Sequence, residues 1–463
     1  MPSIFPQRDS VKPPAPISLA QASRVWARIG WLSFGGPAGQ IALMHRELVD
    51  RRRWISESRF LHALNYCMLL PGPEATQLAI YIGWLMHRTR GGLIAGLLFV
   101  LPGVIVLFGL SALYASMGQL PMVLAIFFGL KAAVLAVVVE AVWRIAHRAL
   151  KGRFHVAVAM AAFLGIHLFG LPFPWIVAGA GGLGFAAHRW WPPQRATEPV
   201  VELSEGDNYL IDQMLSRGEL THLKPSWARS WRVALVGVTL WMTPVFLAIA
   251  WWGRHSVIAR EGSFFSEVAV VTFGGAYAVL AFISQRVVTG YGWLSPGQML
   301  DGLALAETTP GPLIMVVQFV AFMAAFQHQT GMSPWLAGIT GSLLTVWVTF
   351  VPCFLWVFLG GPYVEALRGN RGLHAALSAV TAAVVGVILN LSIWFAEHTI
   401  FSQVQRYHAG PIHLDLPQLA SVNPAALLLA AAAMLAMFRF RIGMAWTLGL
   451  CASVSVLIHL LAV

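Results

Sequence analysis

Apolar runs long enough to cross a lipid bilayer recur along this 463-residue chain and constrain its fold more than any other feature. A spanning helix needs roughly 20 mostly apolar residues, because lipid offers no partner to a free backbone amide or carbonyl. Such runs fall near 22–45, 61–85, 92–116, 120–143, 154–170 and 172–188. After a polar stretch they resume near 231–252, 264–284, 299–324, 335–359, 373–396, 421–437 and 442–461. The expectation is an all-α polytopic membrane protein of about 13 transmembrane helices. Charge agrees: 11% of the residues are charged, against about 25% in a soluble chain. The 19 Trp suit a chain that meets two headgroup layers.

The formal net charge of +11 is nearly all arginine, since lysine occurs only at Lys12, Lys131, Lys151 and Lys224. The arginines lie mostly between apolar runs, so they are read as topogenic, and nucleic acid is not expected as a partner. Cys67, Cys353 and Cys451 sit far apart in apolar stretches, which suggests neither a disulfide framework nor a thiol pair. No metal-ligand spacing occurs among the His, and no cofactor or metal is expected. No Gly-x4-Gly-Lys-Ser/Thr phosphate loop is present. GAGGLG at 179–184 matches a dinucleotide pattern but lies inside an apolar run, where glycine serves helix packing. Residues 1–18 are Pro-rich and read as a disordered tail, not a secretory signal.

Basic loops orient the chain. With the N-terminus in the cytoplasm, Arg88 and Arg90, the 144–153 loop, the 189–232 segment, Arg368 to Arg371, and Arg439 and Arg441 face inward. The loop 46–59, with Arg46, Arg51, Arg52, Arg53 and Arg59, breaks the rule, since span parity places it outside. Either the first segment does not fully cross, or these arginines serve another purpose.

The chain also repeats itself. Residues 33–73 align without a gap on 272–312, an offset of 239, with about a dozen identities. Phe34-Gly35-Gly36 falls on Phe273-Gly274-Gly275, Trp54 on Trp293, Ser56 on Ser295, and Pro71-Gly72-Pro73 on Pro310-Gly311-Pro312. By the parity of the spans, the two repeats enter the membrane from opposite sides. Inverted repeats with paired broken helices place a transporter's substrate site near the midplane.

Pro-Gly-Pro inside an apolar run breaks a helix, because proline lacks an amide donor and clashes with the preceding turn. The half-helix that follows presents free amides and a positive dipole end, suited to an anion. A structural kink is the competing explanation, and two copies in matched places favour the site. Thr76 and Gln77 after the first break, and Thr308 and Thr309 before the second, are further binding candidates. The Phe-Gly-Gly motifs permit close backbone approach to a ligand or, equally, to another helix. Arg46 is expected to attract an oxyanion, although interfacial arginines of this kind are as often topogenic. Glu74 and Glu307 beside the breaks are candidate proton carriers, with a structural hydrogen bond as the even alternative. His62, Lys131, Glu140 and Asp301 complete the ionisable residues assigned to spans. Lys131 and Glu140 are too far apart to pair, and His62 and Asp301 occupy equivalent repeat positions near helix starts.

FGGPAGQIALMHRELVDRRRWIS at 34–56, LLPGPEATQLAIYIGW at 69–84 and LPG at 101–103 closely resemble the chromate ion transporter family. TFGGAYAVLAFI at 272–283 and GWLSPGQMLDGLALAETTPGPL at 292–313 look like its second-half signature, so the chain resembles the long, two-domain form. The resemblance implies a proton-coupled antiporter that exports chromate across the bacterial inner membrane and gives chromate resistance, with sulfate as a related anion. The second half departs where Pro37 is matched by Ala276, and it lacks the arginine cluster. The expected organisation is a cytoplasmic tail at 1–20, a first repeat at 21–190, a cytoplasmic linker at 191–228, a connecting helix at 229–262 and a second repeat at 263–463. Expected partners are chromate, with sulfate as an alternative, protons and the bilayer; a homodimer is left open. A transporter of another tetrahedral oxyanion and a membrane-bound chromate reductase are the competing functions, and an enzyme is not expected.

Overall fold

The computed structural model describes residues 17–190, 209–273, 276–363, 371–410 and 412–462. Gly274 and Gly275, most of the expected tail and the first part of the linker lie outside the described residues. The first half runs α1 (Leu19–Trp31), α2 (Gly36–His45), a π-helical turn (Arg46–Arg51), α3 (Glu57–Cys67), α4 (Glu74–Met117), α5 (Pro121–Ala149), α6 (Arg153–Phe169) and α7 (Phe173–Trp190). Then come α8 (Leu210–Ser216) and α9 (Trp227–Trp252). The second half runs α10 (Val257–Val271), α11 (Ala276–Ser284), a second π-helical turn (Gln285–Gly290), α12 (Pro296–Thr308), α13 (Val316–His328) and α14 (Pro334–Gly360). It continues with α15 (Arg371–Ile400), strands β1 (Val404–Ala409) and β2 (Ile412–Pro417), α16 (Pro424–Phe438) and α17 (Met444–Ala462). Among the described residues, six helices are long and apolar enough to cross a membrane. Their outer faces stay apolar: Trp227, Leu235, Phe246 and Trp251 of α9 are all more exposed than buried, as a lipid-facing helix requires.

The offset of 239 found in the sequence holds for the elements. Both π-helical turns occupy the same six positions of their repeats, and α1, α2 and α3 match α10, α11 and α12. α4 is two helices in one: at His87 and Arg88 the backbone leaves helical geometry. Its two arms fold back on each other, with Gly83 against Gly91 and Ala95, and Gly96 against Ile80. These arms match α13 and α14, which pair in the same way through Gly338 and Phe322. The antiparallel hairpin β1–β2 was not foreseen in an all-helical chain, and it shifts the later register of the second half.

Four runs expected to cross as single spans, near 22–45, 61–85, 264–284 and 299–324, are each a pair of short helices around a break. In the second half the His328 ring donates to the Trp293 carbonyl (2.9 Å), and Val257 N–H donates to Gln329 Oε1 (3.1 Å). The start of α10, the start of α12 and the end of α13 therefore meet at one end of the bundle. Each pair of half-helices dips inward and returns. In the first half the His87 ring donates to the Ile17 carbonyl (2.8 Å), joining the start of α1 to the tip of the α4 hairpin. The first segment is broken between α1, which ends at Trp31, and α2, which begins at Gly36, as its counterpart is in the second half. Gly35 and Gly36, both at positive φ, give the chain the turn from which α2 starts.

Candidate functional site: the paired helix breaks

The two halves join through their breaks. Gly72 N–H donates to Thr272 O (2.8 Å), and Gly311 N–H donates to Ser33 O (2.9 Å). Each pair of counterparts, Ser33 with Thr272 and Gly72 with Gly311, is 239 positions apart, so the two bonds exchange under the repeat, as in an isologous contact. Gly72 sits at φ +124° and Gly311 at φ +99°, where a Cβ is disfavoured. The Leu101-Pro102-Gly103 segment closes on the second break: a Cβ on Gly103 would lie 2.8 Å from Pro310 O. Gln40 Nε2 donates to Gly311 O (2.6 Å), and Gln77 Nε2 donates to Pro71 O (2.7 Å).

Three helical segments begin at these breaks: α2 after Gly35, α4 after Pro73, and the 3-10 turn Leu313–Met315 that leads into α13. None has a side-chain cap, so first-turn amides and positive dipole ends face the breaks. Buried polar atoms without a partner among the described residues lie on these segments (Gln40 Oε1, Thr76 Oγ1, Gln77 Oε1 and Gln318 Oε1) and just before the breaks (Ser33 Oγ and Glu307 Oε2). Such a cluster is rare in an interior without a ligand or water to serve it.

Tyr277 bridges the halves. Its hydroxyl donates to Glu307 Oε1 (2.9 Å), and a Cβ on Gly36 would lie 3.6 Å from that hydroxyl oxygen. Arg144 and Glu140 of α5 act electrostatically on Glu307. Glu74 is half-buried in the first turn of α4. Cys67 lies within electrostatic reach of both Glu74 and Cys353, and a Cβ on Gly72 would lie 3.3 Å from Cys353 Sγ. Two thiols the sequence leaves unrelated therefore flank the first break.

Other expected residues fare differently. Thr308 and Thr309 donate to Leu305 O (2.9 Å) and Ala306 O (3.1 Å) of their own helix, which leaves only their oxygens as acceptors. Phe34 is exposed and Phe273 half-buried. Arg46 is exposed on the π-helical turn, ten residues along from Gly36 and away from both breaks. Of the neighbouring arginines, Arg51 binds Glu47 (2.6 Å), and Arg52 lies 3.7 Å from Glu47 and over the Trp54 ring. Lys131 does find a partner, on another helix: its Nζ is 3.1 Å from Asp301 Oδ1, while Tyr114 Oη donates to Asp301 Oδ2 (2.8 Å). Asp301 is 4% exposed, which excludes the interfacial reading. Its counterpart His62 is half-buried. Gly181 and Gly184 pack on Val380 and on Ala375 to Ala379 of α15, the packing role expected for GAGGLG.

The linker is docked where it is described. Asp212 of α8 accepts from Ser56 N–H (3.2 Å) and Arg59 Nε (2.6 Å), capping α3 from another segment. Further along, the His222 ring donates to Trp84 O (3.1 Å). Burial pushes the His222 pKa down, and Arg88 and Arg229 push the same way, against the bond to Trp84.

Sequence reasoning missed Tyr277, Gln40, Gln318 and Asp212. The first three are polar residues inside apolar runs, but none adjoins a Pro-Gly-Pro motif as Thr76, Gln77, Thr308 and Thr309 do. Asp212 carried no signal, because its partners come from a distant segment.

The family model described as Chromate transporter matches residues 20–185 and again 259–456, which are the two halves. A chromate transport protein of Pseudomonas aeruginosa is 33% identical over 390 residues, covering 83% of each chain. A chromate transport protein of Cupriavidus metallidurans is 27% identical over 390 residues, covering 83% of this chain and 84% of its own. No solved structure matches the chain. The chain is a multi-pass membrane protein that belongs to the chromate transporter family.

Proposed function

We propose that the protein exports chromate from the cytoplasm across the bacterial inner membrane, in exchange for protons, and so confers chromate resistance. The reciprocal bonds Gly72 to Thr272 and Gly311 to Ser33 carry this reading, because they set uncapped helix starts from both halves around one place. A tetrahedral dianion is matched there by the free backbone amides of these helix starts. Phe34, Gly35, Gly36, Pro71 to Pro73, Thr76, Phe273 and Thr308 to Pro312 form the walls. Glu307 with Tyr277, and Glu74, carry the proton. Arg46 acts at a distance, raising the local anion concentration at the mouth.

The halves act as inverted repeats about this centre. α1 starts beside the α4 hairpin tip, whereas α10 starts after α9 has run the length of the bundle, so the two repeats enter from opposite ends. The arginine-rich end faces the cytoplasm with the N-terminus, and 46–59 lies at that end. The domain limits of the sequence reading are kept, with 209–228 as a docked cytoplasmic segment.

The test is chromate uptake into inside-out vesicles, with and without an imposed proton gradient and with sulfate as competitor. Gradient-dependent accumulation that sulfate inhibits supports the assignment. No accumulation above empty vesicles, with folded protein present, overturns the substrate. Accumulation indifferent to the gradient overturns the coupling.

A further inference from the structure

Glu261 lies on α10, one turn in from the helix start, and is 0% exposed. Neither of its carboxyl oxygens has a hydrogen-bond partner among the described residues. Its Oε2 occupies the space over Gly341 of α14, where any Cβ would collide with it. That same Cβ would lie 2.9 Å from Ala325 Cβ and 3.2 Å from Ala321 O of α13. The carboxyl therefore fills a groove between α13 and α14 that a glycine keeps open. One turn further along α14, Thr345 Oγ1 is also buried and unpartnered.

The elements packed on α10 are α9, α11, α13 and α14. Their ionisable groups are engaged or distant: Arg229 and Arg232 at the far end of α9, Tyr277 on Glu307, His328 on Trp293 O, and Cys353 beside Gly72. On α10 itself, Arg260 and Glu267 point outward and are exposed. No charge among the described residues acts on Glu261. An unpaired carboxylate in such a place costs far more than its neutral acid, so the group holds a proton in this conformation. It loses that proton only when α10 moves enough to admit water. α10 ends at Thr272, whose carbonyl accepts the Gly72 amide, so its movement reaches the first break directly. The repeat counterpart of Glu261 is Ala22, so the first half has no such group.

We propose that Glu261 is a proton-exchange group, remote from the substrate, that couples movement of α10 to the paired breaks. A proton bound in one arrangement and released in the other biases the equilibrium between them. Because only one half carries the group, its proton favours one arrangement over its repeat image, while the gradients set the direction of transport. This inference rests on the proton-coupled reading above and adds a carboxyl that touches no substrate.

The test uses the full chain in liposomes, comparing wild type with E261Q, a mimic of the protonated form. Chromate–chromate exchange stays within about two-fold, while accumulation driven by a pH gradient falls at least about ten-fold and its pH dependence flattens. E261Q with wild-type accumulation and an unchanged pH profile overturns the proposal. Should E261Q fail to fold, an apolar carbodiimide, which modifies protonated buried carboxyls, is applied to wild-type protein and mapped by mass spectrometry. Modification of Glu261 that fades at alkaline pH supports the assignment; Glu261 unmodified throughout overturns it. Wild-type liposomes without even chromate exchange would sink the transport reading instead, and the labelling would still decide Glu261.

Discussion

The Gly72 amide donates to the Thr272 carbonyl across 2.8 Å, tying the first Pro-Gly-Pro break to the end of the opening half-helix of the other repeat. Its repeat image, Gly311 to Ser33, has the same geometry, yet the surroundings differ. A Cβ on Gly311 would meet Gly103 Cα at 3.0 Å, which is backbone, whereas one on Gly72 would meet the Gln77 side chain at 2.9 Å. Both G72A and G311A carry about 1–2 kcal/mol of backbone strain. G311A is expected to be the worse, because backbone cannot swing aside. Denaturation midpoints in detergent and transport rates check the order; G72A worse than G311A would contradict it.

Lys131 and Asp301 form a pair between α5 and α12 with Asp301 almost fully buried. Removing one partner leaves an uncompensated charge, so K131M or D301N is expected to cost about 3–5 kcal/mol. The double variant K131M/D301N recovers part of that loss. A double-mutant cycle measures the coupling, and strictly additive losses would show that the pair does not hold α12.

Tyr277 supplies the hydrogen bond that Glu307 receives from a side chain. Y277F is expected to leave the fold intact and to move the pH dependence of chromate transport, since the carboxyl loses its one donor. Transport with a wild-type pH profile in Y277F would remove Tyr277 from the proton path.

The linker should loosen in acid. His222 docks on Trp84 with its pKa held below the ordinary 6.5. Above that pH, docked and released forms are both neutral. Below it the released imidazole takes up a proton that the docked one resists, so docking weakens as pH falls. Limited proteolysis of the linker is expected to quicken in acid, and H222Q to abolish that dependence. Cleavage that is independent of pH in the wild type rules the switch out.

Asp212 caps α3 and holds Arg59. D212A is expected to cost about 1–3 kcal/mol, the range for leaving a buried donor unmade. It should release α8, read as faster hydrogen exchange over 209–216 and 53–59. No change in exchange would mean that the backbone bonds from Leu210 and Ile211 N–H to Arg53 and Trp54 O hold α8 without Asp212.

The sequence by itself determined the membrane class, the duplication and the places where helices break. These are local properties: a run of apolar side chains excludes water, and Pro-Gly-Pro denies the backbone its hydrogen bonds wherever it stands. The offset of 239 carried through to the π-helical turns. What it could not determine was whether a broken run crosses or returns, because that depends on where the Trp293 carbonyl and the His328 ring meet, residues 35 positions apart. Pairings such as Lys131 with Asp301 or Ser56 with Asp212 likewise join residues with no local relation. Glu261 escaped notice because the apolar run was taken to begin at 264, beyond it. Only the tertiary structure decided these, because the burial of a charge and the choice of its partner are set by which helix packs against which, not by neighbours in the chain.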